Sequence, residues 1–199
     1  GLILCSNAFK EIIDKGCPLV IGGPLPHVMA AKAVAFTEAK TDAFCTYAQQ
    51  IVKNAKALAL AFQEAGLKVL TGGTDNHLVL IDVYSSLGLT GWQAEKALRQ
   101  AHITLNRNSI PNDQNGPWYA SGIRMGTPAA TTLGMQEKEM QLIAKTVAQL
   151  LKSCRPQTNA KGNSRAEVFI EKNALVKAQE TITGLLKSFP LYPEIKIGS

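Results

Sequence analysis

Apolar residues three and four positions apart mark most of this chain as helix, and the stretches that break that rhythm carry its polar chemistry. From His27 the rhythm puts Val28, Ala31, Val34 and Ala35 on one face, up to a break near Lys40 and Thr41. A second stripe, Phe44, Ala48, Ile51, Ala55, Leu58 and Phe62, predicts a long helix from Thr41 to Ala65 that stops at Gly66. Thr90 is a good N-cap for a helix over Gly91 to Ala101. Met140, Ile143, Val147, Leu150 and Leu151 place another helix over Met135 to Ser153. Val168, Ile170, Leu175, Val176, Ile182 and Leu185 place a last one from roughly Arg165 to Ser188, ended by FPLYP. A short helix capped by Ser6 or Asn7 is expected over Asn7 to Lys15.

Between the helices the period shortens. Gly1 to Cys5, Leu67 to Leu70, His77 to Val83, Ile103 to Leu105 and Gly122 to Met125 read as strands. Residues 16–27, with three prolines and three glycines, read as a loop free to approach a ligand, and residues 154–165 as a polar loop. One strand, then helices, then a small sheet covered by helices makes the chain α/β or α+β, with a smaller unit beginning near residue 40.

Apolar residues make up 46% of the 199, enough for a packed core, and no apolar run approaches the ~20 residues of a membrane span. No signal peptide is visible, and GLIL, with no Met before it, reads as the middle of something. Cys5, Cys17, Cys45 and Cys154 lie far apart with no C-x-x-C pair, and the histidines lack zinc spacing. Reduced thiols in a cytoplasmic protein are expected, and no metal site. The net charge of +6 points to acidic partners, yet no basic stripe interleaves with aromatics, so nucleic acid is not indicated.

Few residues invite chemistry. Gly22-Gly23-Pro24, just ahead of a helix, is either a phosphate-facing turn or a plain loop-to-helix turn. His27 is either an acid–base group or an ordinary polar residue at a helix start, and His77 and His102 carry weaker signals. Asp75 and Asn76 most simply bond to their own turn. Asn106, Asn108 and Asn112 share that explanation singly; with Ser109, Asp113 and Asn115 they also form a dense polar loop that could read a ligand's amide or ring edge. Arg124 stands apart. It lies in an apolar strand flanked by Gly122 and Gly126, with Ile123 and Met125 on the other face. A guanidinium buried there needs an anion: either an internal Asp or Glu, or the carboxylate of a ligand held by two parallel bonds. Ser-His-Asp order, H-E-x-x-H, a P-loop and paired catalytic carboxylates are all lacking.

The blocks GGPLPHVMAAKAVAF, GGTDNHLVLIDV, LNRNSIPND and SGIRMGTPAATTLGM, in this order, resemble those of serine hydroxymethyltransferases, which are pyridoxal-phosphate enzymes of the aspartate aminotransferase fold type. The resemblance runs from Gly1 to about Leu151, and FPLYP looks like the usual end. It implies an α/β fold: the C-terminal end of the large cofactor-binding domain over residues 1–40 and the small C-terminal domain over 41–199. It further implies transfer of a one-carbon unit between serine and tetrahydrofolate, giving glycine and 5,10-methylenetetrahydrofolate, in a cytoplasmic homodimer. By the same resemblance Arg124 binds the carboxylate of serine or glycine, and Gly22 and Gly23 reach the cofactor phosphate of the neighbouring subunit. Asn108 and the turn Asn115-Gly116-Pro117-Trp118 line the folate pocket.

The resemblance also places the Schiff-base lysine in a His-Lys run that ends in Arg-Gly-Gly, just before the GLIL strand. Gly1 looks like the last glycine of that run, and no lysine of this chain has that context. These residues therefore hold no catalytic group of their own and are expected to be inactive alone. Ile21 replaces a residue that is commonly polar, Pro26 stands where Met is frequent, and CRPQTNAKGNSR is longer than usual. Two rivals remain: a non-catalytic folate- or RNA-binding module using the positive charge, and a pyridoxal-phosphate threonine aldolase. NRNS and NGPW argue against the aldolase, which has no folate to bind.

Overall fold

The computed structural model describes residues 2–193 apart from Lys161. They form two compact units, one running to Thr46 and the other starting at Tyr47. The first unit is helical. The strand expected over Gly1 to Cys5 does not form: Leu2 to Cys5 are exposed and irregular, and Gly1 lies outside the described residues. An apolar run becomes a strand only where another strand takes up its backbone groups, and no sheet forms among the described residues of this unit.

Asn7–Phe9 is a single 3-10 turn, with Ser6 before it making no side-chain cap. Helix α1, Lys10–Ile21, then runs through the first half of the stretch read as a loop, with Pro18 inside it. Pro18 gives up one N–H bond, yet its carbonyl still accepts from Gly22 at 3.2 Å. The loop shrinks to the residues between Ile21 and Pro26, and Gly22 opens it at φ +75°. Helix α2, Pro26–Ala39, starts with proline at a first-turn position where no N–H is needed. The break at Lys40 and Thr41 is where the pattern put it. Helix α3, Asp42–Glu64, includes the boundary between the units.

The second unit is built on a four-stranded antiparallel sheet. Its elements run β1 (Lys68–Val69), β2 (Leu78–Asp82), α4 (Val83–Leu87), α5 (Gly91–Gln100), β3 (Asn106–Asn108), α6 (Gly116–Tyr119), β4 (Gly122–Gly126), α7 (Pro128–Thr132) and α8 (Glu137–Lys152). The strand order is β1-β2-β4-β3. Alternation sends Val79, Ile81 and Ile123 into one core. Ala55, Leu58 and Phe62 of α3 meet them there, with Ala94, Ala97 and Leu98 of α5 and Met140, Val147 and Leu151 of α8. Thr90 caps α5 as expected, in a full capping box with Gln93.

Two strands are displaced from their expected places. Residues Ile103 and Leu105 are buried, but the ladder begins at Asn106. His102, at φ +62°, turns the chain out of α5, and Ile103 N–H closes the helix on Leu98 O at 3.0 Å. Burial shows where chain meets core; ladder bonds show where it meets another strand. Likewise β1 keeps two residues and passes into a 3-10 turn, Leu70–Gly72.

The largest departure is at residues 154–165. Instead of a loop they begin an antiparallel hairpin, β5 (Cys154–Asn159) with β6 (Gly162–Ile170). The last helix, α9 (Lys172–Ser188), therefore starts later than its apolar pattern implied. The Glu171 carboxylate caps it by accepting from the Asn173 and Ala174 N–H groups at 2.9 and 2.7 Å. Burial pushes the Cys154 thiol up to about 11, consistent with an unreactive thiol packed on the core.

One close approach locks α5 to the sheet. Gly91 N–H donates to Ala120 O at 2.9 Å, and a Cβ on Gly91 would stand 2.3 Å from Gly122 O. Gly91→Ala is expected to cost about 2 kcal/mol or more, read as a lower urea midpoint. Gly184→Ala, in α9 with nothing within 4 Å of the new methyl, is expected to raise stability by about 0.5–1 kcal/mol.

Candidate functional site

A cleft of about 910 Å³ opens in the second unit on the face of the sheet opposite the core. Leu78 and Leu80 of β2, Arg124 of β4 and Asn108 of β3 line it, with Lys56 of α3 and the turn after β1 on the far wall. The register explains the grouping: Leu80 and Asn106 flank Arg124 on neighbouring strands, and Asn108 pairs with Gly122.

The Arg124 guanidinium makes no hydrogen bond or ion pair with another described residue. The internal acidic partner considered from the sequence is therefore not found among them. The premise that the guanidinium is buried also fails: Arg124 is exposed to the cleft while Ile123 behind it is fully buried. What points to a ligand is a cation without an internal partner in a concave site. Nor does Gly122 leave space beside it. A Cβ there would meet Ile110 Cγ2 at 2.7 Å and Asn108 O at 2.9 Å, so the glycine lets the chain after β3 press directly on β4.

The other wall of the cleft is the turn 71–76. Thr71 holds φ +63°, an uncommon conformation for a β-branched residue. Asn76 does the local work expected of it, its Oδ1 accepting from Leu78 N–H at 2.7 Å. Asp75 does not; it faces Lys56 Nζ at 3.7 Å, both side chains well exposed. Such a pair is worth little in water. The Asn108 amide nitrogen donates to Ser109 O at 2.7 Å.

The polar loop beyond β3 is organised by Asp113. Its carboxylate accepts from the Ile110, Asn115 and Ser121 N–H groups at 3.1, 2.8 and 2.9 Å and from the Ser121 hydroxyl. Burial acts to raise its pKa, but these four bonds outweigh burial and hold it below the usual carboxylate range.

The structure brings Asn108 and Arg124 together, but Asn115, Gly116, Pro117 and Trp118 are not among the residues lining their cleft. Trp118 stacks on Trp92 of α5, ring centroids 5.5 Å apart. Arg107 lies 4.2 Å over the Trp92 ring, donates to Trp118 O at 2.9 Å and pairs with Glu95 at 2.6 Å. These two are the chain's only tryptophans, a pairing that nothing in their sequence spacing signals. Gly22 and Gly23 lie in the first unit, in the open turn before α2, with nothing within 4 Å of where a Cβ would be. His27 sits in the first turn of α2, exposed.

No group of three or more His, Cys, Asp or Glu among the described residues is placed to hold a metal ion. No helix among them is long and apolar enough to cross a membrane.

Because the folded pKa of Asp113 is lowered, the stability it confers is complete above the ordinary carboxylate value of ~4 and is lost as pH falls through the lowered one. Asp113→Asn places an amide nitrogen against N–H donors. It is expected to cost about 1–3 kcal/mol at pH 7 and to flatten the loss of stability below pH ~4, both read by urea unfolding across pH.

The family model described as serine hydroxymethyltransferase matches residues 5–147, a range that includes Gly22, Gly23, Asn108 and Arg124. The serine hydroxymethyltransferase of Treponema pallidum (strain Nichols) is 54% identical over 98% of this chain. Those of Salinispora tropica and Chlamydia muridarum are 50% and 48% identical over 100% and 99% of it. The chain spans 34%, 41% and 40% of the lengths of these three curated relatives, in that order. A match of this extent in both units, over the residues that form the cleft, means that the chain belongs to the serine hydroxymethyltransferase family.

Proposed function

We propose that this chain supplies the amino-acid clamp and part of the folate-binding wall of an enzyme that moves a one-carbon unit between serine and tetrahydrofolate. The products would be glycine and 5,10-methylenetetrahydrofolate. The observation that carries the reading is Arg124, a guanidinium with no internal partner, in a cleft it shares with Asn108. The α/β character of the chain agrees with a transferase of the aspartate aminotransferase fold type. In that reading residues 1–40 end the large domain and 41–199 form the small one.

Arg124 acts by orientation. Its planar fork offers two parallel N–H bonds to a carboxylate, fixing both the position and the rotation of a bound amino acid. Holding the substrate in one geometry lowers the entropic part of the barrier. Asn108 presents a polar edge beside it for the second substrate, and in the same reading the turn Asn115-Gly116-Pro117-Trp118, which does not line this cleft, adds an indole to the folate site from beyond β3. The turn leads into β4 itself, so its placement and that of Arg124 are mechanically linked.

The residues of the first unit fit a phosphate. Gly22, in the left-handed region, and Gly23 form an open turn ahead of a 14-residue helix, where backbone N–H groups and the helix dipole favour an anion. Pyridoxal phosphate, when bound, supplies the electron sink for cleavage of the amino acid. A homodimer in which this turn serves the neighbouring subunit is the arrangement that the family reading implies.

The test is steady-state kinetics in a polypeptide of the relatives' full length that carries these 199 residues. Arg124→Ala is expected to raise the KM for serine roughly a hundredfold, about 3 kcal/mol, with the KM for tetrahydrofolate within about twofold. Arg124→Lys keeps the charge but not the fork and is expected to cost roughly tenfold. A serine KM unmoved in both variants rejects the clamp.

A further inference from the structure

The β5–β6 hairpin lies outside the cleft, yet one of its side chains holds the turn that carries Trp118. Arg165 Nη2 donates to Asn115 O at 2.6 Å and approaches Asn115 Oδ1 at 3.2 Å. Its guanidinium also lies 4.5 Å from the Tyr119 ring centroid. The contact bridges fifty residues of chain.

The backbone beneath Arg165 is fixed by α5. Thr90 Oγ1 donates to Arg165 O at 2.8 Å. Gln93 Nε2, on a fully buried side chain, donates to Ser164 O and Glu167 O at 2.7 and 2.9 Å. Thr90 and Gln93 also form the capping box of α5, so two side chains anchor both the helix end and the hairpin. The turn is thus held at Ala120 by Gly91, at the Asn115 and Ser121 N–H groups by Asp113, and at the Asn115 oxygens by Arg165. A four-residue helix such as α6 does not sustain itself, so these external ties set its position.

The same bonds restrict what the turn can offer. Asn115 spends its amide nitrogen on Ser121 Oγ, at 2.9 Å, and its side-chain oxygen on Arg165. Both ends of its amide are thus engaged by the protein, which leaves one N–H and one lone pair. Trp118 remains, 64% exposed, with one side stacked on Trp92 and the rest open. An indole fixed on one side and open on the other is a platform for a flat heteroaromatic ring.

We infer that Arg165 is a positioning residue for the folate co-substrate: by tying the hairpin to Asn115 it sets where the open side of Trp118 stands. This rests on the reading of the Asn115–Trp118 turn as part of the folate wall.

The experiment uses the full-length polypeptide loaded with pyridoxal phosphate. Arg165→Ala is expected to raise the KM for tetrahydrofolate about five- to tenfold with the serine KM within about twofold. Arg165→Lys, which keeps a donor and a cation over Tyr119, is expected to recover most of that loss. Lys96→Ala removes a different hairpin contact, the ion pair of Lys96 on α5 with Glu167, and is expected to leave both KM values in place. The near-ultraviolet circular dichroism of the Trp92–Trp118 stack, taken against a Trp118→Phe control, is expected to weaken in Arg165→Ala alone. An unchanged folate KM, an equal shift in both KM values, an equal effect of Lys96→Ala, or a rise in folate KM with the tryptophan signal intact would each overturn the inference. If Arg124→Ala still raises the serine KM, such a result removes the Arg165 role only; a serine KM unmoved by Arg124→Ala removes the parent reading.

Discussion

The way the start of α5 passes over the start of β4 is the constraint on which the other surfaces depend. Gly91 comes so near Gly122 O that no side chain fits between them, and Gly122 itself is closed in by Asn108 O and Ile110. Three backbone segments meet there without intervening side chains. That contact pins the parity of β4. A slip of one residue would turn Ile123 out to water and drive Arg124 into the space among Val79, Ile81 and Leu98. An unpaired guanidinium in that apolar core is costly, so the core on one face dictates the chemistry on the other.

Two arginines of the same sheet show how partner sets separate structure from function. Arg107 sits opposite Ile123 in the ladder, with Arg124 the next residue along β4. The first faces α5, where Glu95, the Trp92 ring and Trp118 O take up its guanidinium. The second faces the cleft, where the one lining carboxylate, Asp75, lies 3.7 Å from Lys56 and none among the described residues pairs with Arg124. In the sequence NRN and GIRMG look equally promising. Only the fold reveals that one arginine glues a helix to the sheet while the guanidinium of the other has no partner among the described residues.

What could be read in advance follows from the range of the forces involved. The Thr90 cap, the stripe Ala55, Leu58 and Phe62, and the parity of Ile123 against Arg124 are local patterns, and each appears where the residues put it. The hairpin from Cys154 to Ile170 is different. Its strands are polar and mostly exposed, and the groups that seat it, Gln93 and Thr90, lie some seventy residues away. Polar residues suited to a loop are equally suited to an edge ladder, so composition could not separate the two. The apolar run at Leu2 to Cys5 failed for the opposite reason: it has the propensity of a strand and no strand beside it in its unit. The exposure of Arg124 was hidden as well, because spacing assigns a face and not the depth of the cleft beyond it.

The dense polar loop is the most instructive case. From residue types alone it serves a ligand and its own backbone equally well. Asp113 is consumed by three N–H groups and a hydroxyl, and Asn115 by Ser121 and Arg165. A carboxylate already accepting four bonds has little capacity left for a ligand donor. Polarity there goes into rigidity, and in the proposed reading recognition passes to what the rigid loop displays: the Asn108 edge on the cleft side and the Trp118 indole on the other. A chain that must place an aromatic ring on an irregular segment, without a strand or a long helix to hold it, needs such an internal network. Asp113 and Asn115 are therefore better understood as the frame of the wall, with Asn108 and Trp118 as what it displays.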